Sequence, residues 1–321
     1  MPMPTDARPG QNLPADFIRT IRQTFADGEQ WLRDLPALLA ACCTRFDVTL
    51  GDPLPLSFNY VTTATLNGAP GAADPAGHNQ VVLKVGVPNP ELLTEVKALQ
   101  LYGGAGTVRL LDWDAALGAL LLERLQPGLP LNSLPDDAHA TDIAATLMTR
   151  LWRPMPAAHG FHTVAGWGQK GLGALRRAFD GGTGPFAPGL VAIAEDAFAA
   201  AATSAENWLL HGDLHHENVL SAQREPWLVI DPKGVVGPRG YECGTYLRNH
   251  LLNKADPAAV LVRRVDQLTE ILGLPRTEIL RWGVAHNVLS AWWGYEDDQA
   301  GTVSDMDGIV CAEFCAAHLR A

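Results

Sequence analysis

Trp208 to Pro232 reads WLLHGDLHHENVLSAQREPWLVIDP, and it sets three oxygen-bearing side chains, Asp213, Asn218 and Asp231, around short apolar runs. Asp213 follows the run Trp208 to Leu210, Asn218 comes five positions later, and Asp231 closes a second run, Trp227 to Ile230. The pattern predicts two short strands paired as a hairpin with polar tips. Phosphoryl transfer needs these residue types in this order. One carboxylate orients and deprotonates an attacking hydroxyl, while an amide oxygen and a second carboxylate hold magnesium on the phosphates of ATP. A hard cation of that kind prefers oxygen ligands and takes most of its remaining ones from phosphate and water.

The same stretch permits another chemistry. His211, Asp213, His215 and His216 are clustered, and histidine with aspartate is how many hydrolases bind zinc or paired metals. A hydrolase also needs distant ligands, and His159, His162, His250 and His286 sit in contexts without a recurring ligand pattern. A kinase instead requires an upstream lysine and a glutamate partner. Val81 to Val87, VVLKVGV, places Lys84 in the middle of an apolar strand, where a buried charge is costly unless it is paired or offered to phosphate. A solvated lysine on an edge strand is the alternative. After Pro88, Asn89 and Pro90 comes ELLTEVKALQLY, whose Leu92, Val96, Leu99 and Tyr102 mark one face of a helix that carries Glu95. A strand lysine bridging to a glutamate on the next helix is the kinase arrangement. Two more strands are expected, from Thr107 and from Leu117, and the second runs into Gln126, Pro127 and Gly128. Glu123, Arg124 and Leu125 are the expected hinge, where backbone groups read the edge of adenine.

With these elements in place, the chain resembles the aminoglycoside phosphotransferase superfamily, and within it the streptomycin 6-kinase and hydroxyurea phosphotransferase group. The resemblance runs over nearly the whole chain: WLRDLPALLA, the LKVG strand, EVKALQLYGG, LLLERL, HGDLHHENVL, IDPKGVVG, YECGTYLRN and NVLSAWWGYED. HGDLHHEN and IDPKG are its specific elements. It implies Asp213 as catalytic base, Asn218 and Asp231 as magnesium ligands, Lys84 as phosphate anchor and Glu95 as its partner.

There are departures. Neither a G-x-G-x-x-G loop nor a Walker sequence precedes Lys84; LPLSFNYV, with Ser57 and Asn59, is expected to form the first hairpin near the nucleotide. Asn67 to Gln80 is rich in Gly, Ala and Pro and reads as a flexible hairpin tip. Glu217 stands where the family commonly has glycine, and Arg248, Asn249 and His250 replace RNP. Neither change is expected to touch the catalytic set. In GPRGYECG, Glu242 takes the acidic place of DPAYD and is an expected substrate contact.

A chain of 321 residues with 47% hydrophobic content is long enough for two lobes. The net charge of −11, without a basic run, argues against nucleic acid as a partner and favours the approach of a cationic small molecule. Adjacent Cys42 and Cys43, with Cys243, Cys311 and Cys315, read as buried thiols rather than a disulfide ladder. MPMPTDARPGQNLP shows no signal peptide, and no apolar run reaches membrane-spanning length, so the expected location is the cytoplasm, without membrane attachment.

Beyond Pro130 the pattern is mostly helical. Asp256 and Pro257 open one helix and Gly273 closes it. Another runs from about Thr277, with Trp282, Ala285, His286, Leu289 and Trp293 on one core face. Trp292 and Trp293 are also candidates for the floor of a sugar pocket. Glu296, Asp297 and Asp298 place negative charge at the helix end that is itself negative. The resemblance implies carboxylates there that bind the amines or guanidines of an antibiotic; a solvated acidic turn is the other reading.

The expectation is thus an α+β, two-lobed, protein-kinase-like fold. Residues 1–125 form a small antiparallel-sheet lobe with leading helices, and 126–321 a larger, mostly helical catalytic lobe, with the active site between them. The reaction is transfer of phosphate from ATP, with magnesium, to a substrate hydroxyl, by a monomer or weak homodimer. Streptomycin is the acceptor implied by resemblance. Another hydroxylated metabolite, including hydroxyurea-like compounds, a metal hydrolase and a non-catalytic nucleotide-binding module are the alternatives.

Overall fold

A computed structural model of the chain describes residues 10, 12–68, 79–297 and 306–319, apart from the side chains of Asp297, Met306 and Asp307. It comprises two compact units, one of Met1–Gly104 and Val108–Leu125, the other of Ala105–Thr107 and Gln126–Ala321.

The first unit begins with helices α1 (Ala15–Thr24) and α2 (Gly28–Phe46). Strands β1 (Val48–Pro53), β2 (Tyr60–Leu66) and β3 (Gln80–Val85), helix α3 (Pro90–Tyr102), and strands β4 (Leu110–Asp114) and β5 (Ala119–Glu123) follow. The five strands form one antiparallel sheet in the order β1-β2-β3-β5-β4, so β3 is central. Side chains alternate across a strand. Val81, Leu83 and Val85 therefore share one face and pack with Phe17, Ile21, Trp31 and Leu35 of the leading helices. Lys84 falls on the opposite face by the same alternation. Helix α3 starts where Asn89 caps the amides of Glu91 and Leu92 at 2.8 and 3.1 Å, with Pro90 at its first position.

The second unit contains α4 (Asp137–Leu151), β6 (Arg153–Pro154), β7 (His162–Thr163), α5 (Val164–Ala178), α6 (Pro188–Thr203), β8 (Trp208–Leu210), β9 (Val219–Ser221), β10 (Trp227–Val229) and β11 (Val235–Gly237). Helices α7 (Cys243–Arg248), α8 (Pro257–Leu272), α9 (Arg276–Asp297) and α10 (Met306–Leu319) complete it. An antiparallel sheet unit followed by a mostly helical one is the expected fold class.

The expected catalytic hairpin is re-paired. Strand β8, before Asp213, pairs with β6 and β11, whereas β10, before Asp231, pairs antiparallel with β9. The apolar runs were legible, but three-residue strands carry too little pattern to choose a partner. Helix α9 differs too. All residues from Trp282 to Leu289 are buried, not one face, because α5, α6, α7, α8 and α10 all pack on this helix. Cys311 and Cys315 are buried on α10. Among the described residues no helix is long and apolar enough to cross a membrane. The Asn67–Gln80 tip lies largely outside the described residues.

Helix α8 ends as its sequence predicts: the Asp256 carboxylate accepts from the Ala259 amide at 3.0 Å, and Gly273 closes the helix in the left-handed conformation. Replacing Asp256 with Ala should lower unfolding free energy by about 1 kcal/mol, read as a shift of the urea midpoint at unchanged slope.

Candidate functional site

In the first unit, Lys84 Nζ donates to Glu95 Oε1 and Oε2 at 2.7 and 2.8 Å, with side chains only 4% and 10% exposed. This excludes the solvated edge lysine. A buried ion pair offsets its desolvation only with such geometry, so the pair fixes an ammonium on the helix-α3 side of the central strand. Ser57 is exposed and Asn59 half-buried in the β1–β2 connection. Asn59 abuts Gly86, where a Cβ would lie 2.1 Å from Asn59 Oδ1. Glu123, at the end of β5, accepts the Arg109 amide at 3.1 Å, and Arg124 Nη1 donates to Gln80 Oε1 at 2.6 Å. Leu125 is half-buried and is the last residue of this unit.

In the second unit, strand pairing and loop hydrogen bonds bring Asp213, Asn218 and Asp231 together. Asn218 directly precedes β9, and its carbonyl accepts the Ile230 amide at 2.9 Å, which sets Asp231 at the same end of the β9–β10 hairpin. Asn218 Nδ2 donates to the Asp213 carbonyl at 2.9 Å. That bond orients the amide and leaves Oδ1 as the atom for a hard cation. Asp231 has a left-handed backbone, φ 57°, uncommon outside glycine but most tolerated by Asn and Asp. An amide oxygen and a carboxylate at one hairpin end fit magnesium, whose other ligands come from phosphate and water.

The loop before Asp213 is held from several sides. Glu242, 2% exposed, accepts the His211 amide through Oε2 at 2.7 Å and the Gly212 amide through Oε1 at 2.9 Å. This corrects its expected role. Its carboxylate is buried and engaged with backbone, so it shapes the loop instead of meeting substrate. Burial pushes its pKa up to about 7, against the opposing effect of those amides. Gly212 has φ +84°, and a Cβ there would meet Val235 Cγ1 at 2.8 Å, so a side chain has neither the conformation nor the room. His211 Nε2 bonds the Ile230 carbonyl at 2.8 Å, and its Nδ1 accepts the Asp213 amide at 3.2 Å. Burial lowers its pKa to about 4, so the ring is neutral, with both nitrogens engaged in the loop. That is a structural histidine and not a metal ligand.

Asp213 keeps 33% of its side chain open. The protein mass around the carboxyl raises its pKa, opposed by the charges of His215, Lys233 and Arg248. His215 Nε2 lies 3.8 Å from Asp213 Oδ2, and its Nδ1 meets Glu217 Oε2 at 2.9 Å. Burial works against the imidazolium, but Glu217 and Asp213 outweigh it and the His215 pKa rises. Glu217 Oε1 is bonded by His250 Nε2 and, at 3.2 Å, by Asn132 Nδ2. The two departures from the family pattern thus contact each other, and their link to Asp213 is indirect, through the His215 ring. Sequence reading also missed Asn132, which lies in a single 3-10 turn, Leu131–Ser133, without motif.

Trp292 is not a pocket floor. It is 3% exposed and packs against Phe179, Phe186 and Tyr295 at 6.2, 6.3 and 5.8 Å between ring centroids. Aromatic residues sharing helical spacing bury more readily than they expose. Trp293 is partly open and meets Trp167 edge-on at 6.0 Å. Glu296 is exposed, while the Asp297 side chain and Asp298 lie outside the described residues.

The raised Glu242 pKa carries a stability signature. An unfolded-chain glutamate ionises near 4.5, so between there and about 7 the native state binds the extra proton. The stabilisation is complete below the lower value and is lost as pH rises through the higher one. Relative to Glu242→Gln, the wild type should lose at most about 1.4 kcal/mol per pH unit across that window, measured by urea unfolding over a pH series.

A profile of the family described as aminoglycoside/hydroxyurea antibiotic resistance kinase matches residues 75–298. Streptomycin 6-kinase of Streptomyces glaucescens is 31% identical over 313 residues, covering 95% of this chain and 97% of that protein. Hydroxyurea phosphotransferase of Kitasatospora aureofaciens is 31% identical over 299 residues, covering 89% and 81%. Among solved structures, a thermostable mutant of the aminoglycoside phosphotransferase APH(4)-Ia, in ternary complex with ADP and hygromycin B, is similar with a TM-score of 0.56 and 14% identity, covering 88% of this chain and 97% of that one. Choline kinase LicA from Streptococcus pneumoniae is similar with a TM-score of 0.58 and 12% identity, covering 90% and 99%. These likenesses show a protein-kinase-like fold. With the profile over most of its length and relatives near one-third identity, the chain belongs to the aminoglycoside/hydroxyurea antibiotic resistance kinase family of phosphotransferases.

Proposed function

We propose that the protein transfers the γ-phosphoryl group of ATP to a hydroxyl of an aminoglycoside such as streptomycin. The observation that carries this reading is the juxtaposition of Asp213, Asn218 and Asp231 at one hairpin end, with Asn218 bonded to the Asp213 backbone. Similarity to streptomycin 6-kinases at 31% and 33% identity supports the acceptor, and a net charge of −11 draws a polycationic antibiotic by long-range attraction.

Asp213 orients the acceptor hydroxyl and takes its proton as the new P–O bond forms and the bond from the γ-phosphorus to the β,γ-bridging oxygen breaks, with ADP as the leaving group. Burial raises its pKa and strengthens it as a proton acceptor, opposed by the charges of His215, Lys233 and Arg248. Asn218 Oδ1 and Asp231 would hold magnesium. Magnesium, when bound, neutralises charge developing on the phosphate oxygens. Lys84, held by Glu95, anchors the nucleotide phosphates, and the backbone of Glu123, Arg124 and Leu125 meets the adenine edge. Ser57 and Asn59 sit in the loop assigned to the phosphates. Acceptor amines are matched by Glu296 and Asp297; Glu242 and Trp292 take no part in binding. ATP places the reaction in the cytoplasm.

A second acceptor class is a small hydroxylated compound such as hydroxyurea, supported by 31% identity to a hydroxyurea phosphotransferase. Among the described residues no group of three or more His, Cys, Asp or Glu side chains is placed to hold a metal ion, which counts against the hydrolase reading.

Mass spectrometry of aminoglycosides and small hydroxylated metabolites incubated with the protein and MgATP tests the reading. A phosphate-mass gain on streptomycin is expected, reduced about 100- to 10,000-fold in Asp213→Ala. Gain on a different compound alone would move the acceptor, and activity indifferent to Lys84→Ala and to ATP would contradict a kinase. Lys84→Ala should raise the KM for ATP and lower kcat.

A further inference from the structure

Beside the sheet that leads to Asp213 stand aromatic rings that the core does not close over. Strand β11 pairs Val235 with Leu210 of β8 on one side and with His162 of β7 on the other, so His162 lies two strands, about 10 Å, from the strand that enters the base loop. Thr163 then caps α5, its Oγ1 accepting the Gly166 amide at 3.0 Å, and the first turn of that helix sets Trp167 beside His162, with 6.3 Å between ring centroids. Trp167 also meets Tyr241 at 6.3 Å and Trp293 of α9 edge-on at 6.0 Å. Tyr241 precedes Glu242, the residue that holds the His211 and Gly212 amides. Burial, and after it the charge of Asp213, raises the pKa of the Tyr241 hydroxyl, which marks the base as a neighbour of that ring.

Glycines on α5 let the other helices come this close. A Cβ at Gly168 would lie 2.0 Å from Phe198 Cγ, and one at Gly171 would lie 2.3 Å from Leu289 Cδ1 and 3.3 Å from Trp293 Nε1. Gly171 is one turn beyond Trp167 on the same face of α5, so α9 sets the Trp293 indole against Trp167. The two indoles differ in burial from their neighbours. Trp292 and Tyr241 are 3% and 1% exposed, whereas Trp167 and Trp293 are only half-buried and His162 is exposed. Small-molecule sites are lined mostly by apolar and aromatic side chains with a few placed polar groups. Glu296, exposed, follows Trp293 by three positions and so lies on the same side of α9.

We propose that Trp167 and Trp293 form a platform on which a ring of the acceptor packs, so that the protein selects a cyclic, amine-bearing alcohol over an acyclic compound such as hydroxyurea. This rests on the phosphotransfer reading. The indole surface takes the apolar face of the ring, and its π-electrons and the Glu296 carboxylate both favour a protonated amine at the ring's edge. The platform fixes the ring while its hydroxyl reaches Asp213, past Tyr241. An acyclic acceptor the size of hydroxyurea offers no face to stack and gains nothing from either indole.

The test is isothermal titration calorimetry of the full chain with streptomycin, without ATP, so that no transfer occurs. Saturable binding is expected in the wild type, weakened at least about tenfold in Trp167→Leu and recovered to within about threefold of wild type in Trp167→Phe. Leucine keeps apolar bulk against Tyr241 but has no aromatic face, so the recovery separates stacking from packing. Trp293→Leu should weaken binding to a similar extent, and it decides the matter if Trp167→Leu loses the wild-type circular dichroism spectrum. Absence of saturable binding in the wild type would overturn the platform. So would affinity unchanged in the leucine variants, or a Trp167→Phe variant that binds no better than Trp167→Leu. The expected binding pattern without phosphate transfer from MgATP would overturn the kinase reading and leave the platform standing.

Discussion

The Glu242 carboxylate is the interaction on which the second unit's chemistry depends. Two adjacent backbone amides, His211 and Gly212, point at its two oxygens at 2.7 and 2.9 Å, and hydrogen bonds of that length are directional. They set the chain direction as it leaves β8, and Asp213 is the next residue. Gly212 is needed because the turn takes a positive φ against Val235, and the His211 ring then ties the loop to the Ile230 carbonyl just before Asp231. Asp213 and the segment leading to Asp231 are thereby tied through a single buried histidine. Burying a carboxyl for this purpose costs stability as pH rises through its elevated pKa, a cost characteristic of functional sites.

Much of this was legible in the sequence, for physical reasons. Strand alternation put Lys84 opposite Val81, Leu83 and Val85, and a helix with a readable Asn-Pro start carried Glu95 to it. Asp, Asn and Asp at fixed spacing singled out three residues that the fold brings together, because phosphoryl-transfer chemistry constrains residue type more tightly than packing does. The acidic place at Glu242 was also visible, but its role was not. Sequence gives no sign of whether a carboxylate beside a catalytic loop faces ligand or backbone, and only burial resolves it. Trp292 was misread for a related reason: an aromatic pair at a helix end has the same spacing in a core as in a pocket. Strand partners in the β8 to β11 region were beyond reach, since three-residue strands specify neither register nor neighbour.

The departures from the family pattern are coupled in space. Glu217 and His250 are 33 positions apart and bond directly, with Asn132 from a third segment. His215 links that cluster to Asp213. A glycine at 217 would leave His215 Nδ1 without the carboxylate that bonds it, and His250 holds the other oxygen of that carboxylate. The loop is held on one side by Glu242 and on the other by this cluster, leaving the Asp213 carboxylate partly open between two rigid supports.

Amide hydrogen exchange at His211, Gly212 and Asp213, followed by NMR in the wild type and in Glu242→Ala, tests most directly whether the carboxylate holds the base loop. Exchange of these three amides should accelerate at least about tenfold in the variant, while the amides of Trp282 to Leu289 in α9 keep their protection. Unchanged protection at His211 and Gly212 would mean that the loop holds its shape without Glu242, and would contradict the account.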